Sequence, residues 1–129
     1  MAFAIDIQRT ARFVRYRVSG PASLASYFDL IEQAAGDTVL NGDTLALVDL
    51  RGVIGRLKFT DQYFIGELVG QKMGHLAKIA SLVASDPTSY NSDTVVKRSG
   101  LNQRTFDDVE KALAWLLQEE KVDPGSSPG

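Results

Sequence analysis

The 129-residue sequence contains no cysteine and only one histidine. The absence of cysteine excludes disulfide bonds, thiol nucleophiles and thiolate metal ligands. A chain without cysteine also suits a reducing compartment, so we expect a cytoplasmic protein. No apolar run approaches the roughly 18 residues that a membrane-spanning helix needs, and the N-terminus lacks the pattern of a signal peptide. We therefore expect a protein without a membrane span.

An excess of charge of one sign is also missing. Fourteen Lys and Arg oppose sixteen Asp and Glu, which gives a net charge of −2. A nucleic-acid-binding face needs concentrated basic side chains that displace counterions, so we expect no nucleic-acid partner. The nearest approach to a basic cluster consists of four arginines, Arg9, Arg12, Arg15 and Arg17. Arg15 and Arg17 alternate along a predicted strand, which indicates a solvated sheet face.

Residues that could carry catalysis are few. His75 follows Gly74 at the end of a predicted helix, where a hydrogen-bond donor can cap backbone carbonyls. A metal site is less favoured, because no second histidine exists to form a zinc pair. Gly52 and Gly55 lack the third glycine of the dinucleotide fingerprint, and no Gly-Lys-Ser/Thr follows them. Without a recognisable acid/base pair, we expect neither enzymatic activity nor a cofactor.

Hydrophobic patterning in the first half predicts a hairpin, a helix and a buried strand. Apolar and polar residues alternate over residues 3–8 and 13–18, which favours an antiparallel hairpin. Apolar residues then recur at helical spacing after Pro21, and Gly36 can supply the left-handed stop of that helix. The continuous apolar run at residues 45–48 is typical of a central strand buried on both faces.

The residue pattern of the second half predicts a helix, a strand, a polar turn, a short helix, a second strand and a last helix, in that order. Thr60 is a natural N-cap for the first of these helices, and Gly74 ends it. A strand is expected over residues 77–84, another around Thr105, and an amphipathic helix over residues 107–118. This order predicts a single-domain α/β fold with a mixed sheet, in which an antiparallel N-terminal hairpin precedes parallel strands and about four helices flank the sheet. We expect the domain to cover residues 1–120 and the Pro-, Gly- and Ser-rich tail, residues 121–129, to be disordered.

Three features have alternative interpretations. Asp49 ends the predicted central strand, and a solvated carboxylate paired with Arg51 is favoured over a phosphoacceptor, which would need further acidic residues and a lysine. Trp115 either packs on a neighbouring loop or anchors an interface, and self-association through it or through the hairpin edge is an open alternative. The hydroxyl-rich turn with Asp86 and Ser89 is explained by turn chemistry, or it forms a small polar pocket for a phosphate or a headgroup.

Four segments carry a resemblance to a known family. Residues 18–21 (Val-Ser-Gly-Pro) lead into the first helix, and residues 47–53 (Leu-Val-Asp-Leu-Arg-Gly-Val) span the end of the predicted central strand, residues 44–50, and the residues after it. Residues 79–83 (Ile-Ala-Ser-Leu-Val) lie within the next predicted strand, and residues 104–116 run from Arg-Thr-Phe-Asp-Asp to Ala-Trp-Leu. In this order the segments resemble the SpoIIAA-like branch of the STAS superfamily (sulfate transporter and anti-sigma factor antagonist domains). The resemblance implies a STAS-like mixed sheet with helices on its faces.

The resemblance also implies that the domain acts by binding a protein partner. In anti-sigma factor antagonists, a partner kinase phosphorylates a serine at the start of the helix after the central strand, and this ends the interaction. The matching aspartate is Asp61, but Gln62 and Tyr63 replace the serines and leave Thr60 as the nearby hydroxyl. We expect an unknown partner to contact this region through Arg51, Arg56, Lys58, Thr60, Asp61 and Tyr63.

Members of this branch also resemble relatives of lipid-transfer domains, which enclose an apolar ligand between a sheet and helices. Such a pocket needs an apolar lining with few polar anchors. Phe59, Tyr63, Phe64 and Met73 are the candidates for this lining, although the same residues suit an ordinary core. A carrier of a small apolar ligand is therefore the alternative function.

Overall fold

The computed structural model describes residues 3–84 and 102–118, which form one five-stranded sheet with helices on both faces. The elements are β1 (Ala4–Arg9), β2 (Val14–Pro21), α1 (Leu24–Asn41), β3 (Leu45–Ile54), α2 (Phe59–Lys72), β4 (Lys78–Leu82), β5 (Gln103–Phe106) and α3 (Val109–Leu116). Strands follow one another across the sheet in chain order; β1 and β2 pair antiparallel and all later neighbours pair parallel. The predicted mixed sheet is confirmed. The described residues contain three helices rather than about four, and the short helix expected after residue 90 lies outside them.

The core is divided between the two faces of the sheet. Helices α1 and α2 cover a large cluster that contains the fully buried side chains of Val14, Tyr16 and Val18. Helix α3 covers a smaller cluster on the opposite face, formed by Leu47, Ala80, Leu82, Ala112 and Leu116. Strand β3 contributes side chains to both clusters: Ala46 belongs to the first and Leu47 to the second. This confirms the prediction of a central strand buried on both sides.

Helix α1 continues beyond Gly36, so the predicted stop at that glycine is wrong. The helix begins after Ser23, whose hydroxyl accepts from the backbone N–H of Ser26 at 3.1 Å. It ends at Gly42, whose φ of 68° is the left-handed conformation that glycine adopts without strain. A glycine inside a helix costs only about 1 kcal/mol relative to alanine. Burial of the next helical turn, which includes Thr38, offsets that cost.

Helix α2 begins one residue before Thr60, so Thr60 is not its N-cap as predicted. Lys58 occupies the N-cap position and makes no capping hydrogen bond with its side chain. The helix ends at Lys72, with Met73 as the C-cap residue, just before the expected stop at Gly74.

Strand β3 is longer than predicted and contains a β-bulge. Arg17 lies opposite Asp49, whereas Ser19 lies opposite Gly52, so β3 has one residue more than β2 over this interval. A Cβ atom on Gly52 would lie 3.0 Å from both the Cβ of Ser19 and the carbonyl oxygen of Val18. Glycine therefore permits the close approach of β2 and β3 at the bulge.

Candidate functional site

A cavity of about 330 Å³ lies between α1, α2 and the sheet. Most of its lining is apolar and comes from all three elements, including Leu30, Ile31, Val48, Val53, Ile65 and Met73. This volume falls at the lower end of the range for small-molecule sites, roughly 300–1,000 Å³. The geometry therefore provides room for a small ligand beneath the two helices.

Among the described residues, the polar side chains that line the cavity are Tyr27, Arg56, Gln62, Ser81 and Gln103. The Nε2 of Gln62 donates to the carbonyl oxygen of Leu57 at 3.1 Å and so ties α2 to the loop before it. The Nε2 of Gln103 donates to the hydroxyl of Ser81 at 3.0 Å. Within the described part of the chain, the buried Oε1 of Gln103 has no hydrogen-bond partner. An unpaired buried acceptor is unusual, because burial removes its hydrogen bonds to water.

The connection between β3 and α2 forms part of the cavity rim. Gly55 and Arg56 are exposed to solvent and also line the cavity. Gly55 has a φ of 84°, in the left-handed region that glycine adopts readily. The turn at Gly55 leads the chain from the strand into the start of α2.

Of the predicted partner-binding residues, Arg56 and Lys58 lie in this connection, Thr60, Asp61 and Tyr63 lie at the start of α2, and Arg51 lies in β3. Five of these six residues are exposed, namely Arg51, Arg56, Lys58, Thr60 and Tyr63. The sixth, Asp61, is half-buried. Exposed apolar side chains accompany them, since Ile54 is 71% and Phe59 is 65% exposed. We call residues 54–64 the β3–α2 surface. It combines basic and apolar side chains.

The aromatic residues proposed to line a pocket are placed differently. Phe59, Tyr63 and Phe64 lie on the β3–α2 surface, and they are absent from the cavity lining. Met73 does line the cavity, as proposed. Asp86 and Ser89, the candidates for a polar pocket, lie outside the described residues.

Asp49 is buried within β3 and is held by Arg51. The Nε and Nη2 atoms of Arg51 donate to the two carboxylate oxygens at 2.9 and 2.8 Å. The hydrogen bonds from Arg51 lower the pKa of Asp49, although burial acts in the opposite direction. The predicted pairing is confirmed, but the predicted solvated strand end is wrong, because β3 continues to Ile54 and Asp49 is only 4% exposed. The guanidinium of Arg51 is thus paired with a buried carboxylate, although the Arg51 side chain is 45% exposed.

His75 connects the end of α2 to α1. Its Nε2 lies 2.6 Å from the hydroxyl oxygen of Thr38, which itself lies 2.8 Å from the carbonyl oxygen of Ala34. This side-chain contact takes the place of the predicted capping of backbone carbonyls. Over residues 3–84 and 102–118, no group of three or more His, Cys, Asp or Glu side chains could hold a metal ion. Nor does any helix in those ranges have the length and apolarity to cross a membrane.

Sequence reasoning missed Gln103 and Ser81. Gln103 is 6% exposed, yet a glutamine beside the short predicted strand around Thr105 carries no signal of burial. Ser81 falls within an apolar run that predicts a buried strand, and nothing in that run distinguishes a serine facing a cavity from one in a packed core.

The fold is similar to that of three solved structures. One is a protein from the DUF3478 family with a SpoIIAA-like fold, from Shewanella loihica PV-4, with a TM-score of 0.57 at 19% identity. The match covers 89% of this chain and 93% of the Shewanella protein. An anti-sigma factor antagonist from Mycobacterium paratuberculosis has a TM-score of 0.54 at 15% identity. The match covers 89% of this chain and 94% of the antagonist. The anti-sigma factor antagonist SpoIIAA in its unphosphorylated form also has a TM-score of 0.54 at 15% identity. The match covers 92% of this chain and 100% of SpoIIAA.

No protein-family model matches the chain, and no curated protein sequence matches it. At the identities found among solved structures, the likeness establishes the fold alone. The chain has the SpoIIAA-like fold, as the resemblance of its four segments predicted.

Proposed function

We propose that the protein is a non-enzymatic regulatory domain that binds another protein through the β3–α2 surface. The observation that carries this proposal is the exposure of Ile54 and Phe59, at 71% and 65%, next to the basic residues Arg56 and Lys58. Exposed apolar side chains with charged neighbours are typical of protein interfaces. Two of the structures with this fold are anti-sigma factor antagonists, which supports a regulatory role.

The composition of the surface defines the chemistry of the partner. Arg56 and Lys58 favour an acidic rim on the partner, and Phe59 and Tyr63, four residues apart on α2, favour an apolar groove. Thr60 is exposed in the first turn of α2, where a phosphate would be compatible with the helix N-terminus. A cytoplasmic location belongs to the same proposal and is supported by the cysteine-free composition.

Affinity capture from a lysate of the source organism tests the proposal with a matched pair of variants. Phe59→Ser combined with Lys58→Glu alters the β3–α2 surface, whereas Leu40→Ser removes an apolar side chain that is 85% exposed near the other end of β3. The ten residues of β3 place its two ends about 30 Å apart, and the two substituted sites lie near opposite ends. We expect one protein to be captured by the wild type and by Leu40→Ser, but not by the double variant, and to bind the purified wild type directly. Equal capture by all three chains would contradict the proposal.

A second candidate function, the binding of a small molecule, is favoured by the cavity. Its largely apolar lining and its volume of about 330 Å³ suit a compact ligand. Native and denaturing mass spectra of the purified protein test this function. An additional mass present only under native conditions supports it. A bare chain in both spectra that also fails to bind added octan-1-ol contradicts it.

A further inference from the structure

We infer that the cavity binds a carboxylate with a short alkyl chain, whose head group pairs with Arg56 at the rim while its chain occupies the space beneath α1 and α2. This inference rests on the second candidate function and specifies the chemistry of its ligand. It combines three properties of the cavity: an apolar interior, one charged side chain among the described lining residues, and a small volume.

The interior of the cavity suits an alkyl chain. Aliphatic side chains form its walls, with Leu30 and Ile31 on α1, Val48 and Val53 on β3, and Ile65 on α2. Each methylene group that leaves water for such surroundings tightens binding by about fourfold. The cavity therefore favours a ligand whose body is a plain hydrocarbon.

The charge at the cavity is positive and lies at its rim. Arg56 is the one charged residue among the lining residues that the structure describes. It follows Gly55 in the connection between β3 and α2, and it is exposed to solvent. A carboxylate beside Arg56 keeps part of its hydration, so the cost of desolvating it is small. It also accepts charge-assisted hydrogen bonds from the guanidinium. The rim thus favours an anionic head group.

The chemistry of arginine favours a carboxylate in particular. Arg56 already takes part in an interaction within the protein. A guanidinium has five N–H donors in a fork, so it can hold the two oxygens of a carboxylate as well. A phosphate monoester carries nearly two negative charges, of which one arginine compensates only one. An ammonium group would be repelled by the guanidinium.

The volume limits the length of the chain. At about 30 Å³ per water molecule, the cavity of about 330 Å³ holds the equivalent of roughly eleven waters. A methylene group is about as large as a water molecule, so a chain of about eight carbon atoms fills most of this space. Affinity should rise about tenfold from hexanoate to octanoate, and by less than about threefold from octanoate to dodecanoate. A steady rise through dodecanoate would overturn the limit on length.

Three probes with the same number of carbon atoms test the role of Arg56. At about pH 7 octanoate is an anion, octan-1-amine is a cation and octan-1-ol is neutral. Titrations followed by NMR give the dissociation constants for the wild type, for Arg56→Gln and for Lys111→Gln, which changes an exposed cation on α3 beyond the sheet. We expect the wild type and Lys111→Gln to bind octanoate about fivefold more tightly than octan-1-ol, and the amine most weakly. We expect Arg56→Gln to lose the preference for octanoate and to keep its affinity for octan-1-ol.

The outcomes separate this inference from the function on which it rests. Equal binding of octanoate and octan-1-ol by the wild type, or a preference for octanoate that survives Arg56→Gln, overturns the role of Arg56 while cavity binding stands. Failure of the wild type to bind any of the three probes overturns both the inference and the second candidate function. Added salt provides a readout that needs no variant. Raising it from about 0.05 to about 0.5 M should weaken the binding of octanoate to the wild type but not that of octan-1-ol. Binding of octanoate that is insensitive to salt would contradict the pairing with Arg56.

Discussion

The Nζ atom of Lys78 lies 2.8 Å from the carbonyl oxygen of Trp115 and 5.1 Å from the centre of its ring. The same ammonium group donates to the carbonyl oxygen of Gln118 at 3.1 Å. The last carbonyl groups of a helix lack intrahelical partners, so a cation at the end of α3 satisfies and stabilises them. Trp115 also packs against Phe106, with ring centroids 5.7 Å apart. Trp115 thus packs within the domain, against a strand residue and not against the expected loop.

Replacing Lys78 with methionine should lower the free energy of unfolding by about 2 kcal/mol. The substitution keeps the apolar stem but removes the cation from the helix end, and Lys78 is only 6% exposed. Urea unfolding followed by circular dichroism measures the change. Lys111→Met, on the exposed side of α3, is the matched control and should change stability by less than about 0.5 kcal/mol. Equal effects of the two substitutions would contradict this account.

Two glycine-to-alanine substitutions should act in opposite directions. Gly52→Ala should destabilise the protein by about 1–3 kcal/mol, because the new methyl group meets the carbonyl oxygen of Val18 at 3.0 Å. Gly36→Ala should stabilise it by about 0.5–1 kcal/mol, since nothing lies within 4 Å and alanine favours the helix. Thermal unfolding of both variants measures these changes. Stabilisation by both would show that the bulge does not require glycine.

Asp49 should make stability depend on pH in the acid range. Its pKa in the folded protein is lower than the ordinary value of 3.8, chiefly because of the hydrogen bonds from Arg51. The stabilisation is therefore present above about pH 4 and is lost as the pH falls through the folded pKa. Asp49→Asn should reduce the free energy of unfolding at about pH 7 and weaken its decline in acid.

Urea titrations at about pH 7 and about pH 3 measure this dependence for the wild type, for Asp49→Asn and for Asp6→Asn. Asp6 lies exposed on β1 and serves as the matched control. An acid decline in Asp49→Asn as steep as that of the wild type would show that other carboxylates account for it.

The exposed aromatic residue on the β3–α2 surface should contribute little to folding. Phe59→Ser should change the free energy of unfolding by less than about 1 kcal/mol, because Phe59 is 65% exposed. Leu68→Ala, in the same helix but 7% exposed, should cost about 2–4 kcal/mol. Chemical denaturation of the two variants measures both values. A large loss in Phe59→Ser would mean that the side chain supports the fold and is not reserved for binding.

The strands were the most predictable elements, because strand periodicity directly determines which side chains are buried. Val14, Tyr16 and Val18 alternate with arginines in the sequence, and all three are fully buried in the structure. The helix ends were less predictable. The signals from Gly36 and Thr60 are each worth about 1 kcal/mol, and tertiary packing of the helices outweighs them.

Apart from Met73, the residues that line the cavity were not predictable from the sequence pattern. Val48, Ile65 and Met73 have the same pattern whether they fill a core or border a void, because periodicity gives the face of a residue but not the distance to its neighbours. That distance depends on how α1 and α2 sit above the sheet. The bulge at Gly52 is another such feature, since it depends on the pairing of two distant strands.

The cavity makes the two sides of the sheet mechanically unequal. Hydrostatic pressure favours states in which internal voids are eliminated, whereas close-packed interiors have low compressibility. Compression should therefore act first beneath α1 and α2, where about 330 Å³ is open. The α3 side, where Leu82 and Ala112 are completely buried, should resist it. Strand β3, whose side chains alternate between the two faces, should therefore join a cluster that compresses to one that resists compression.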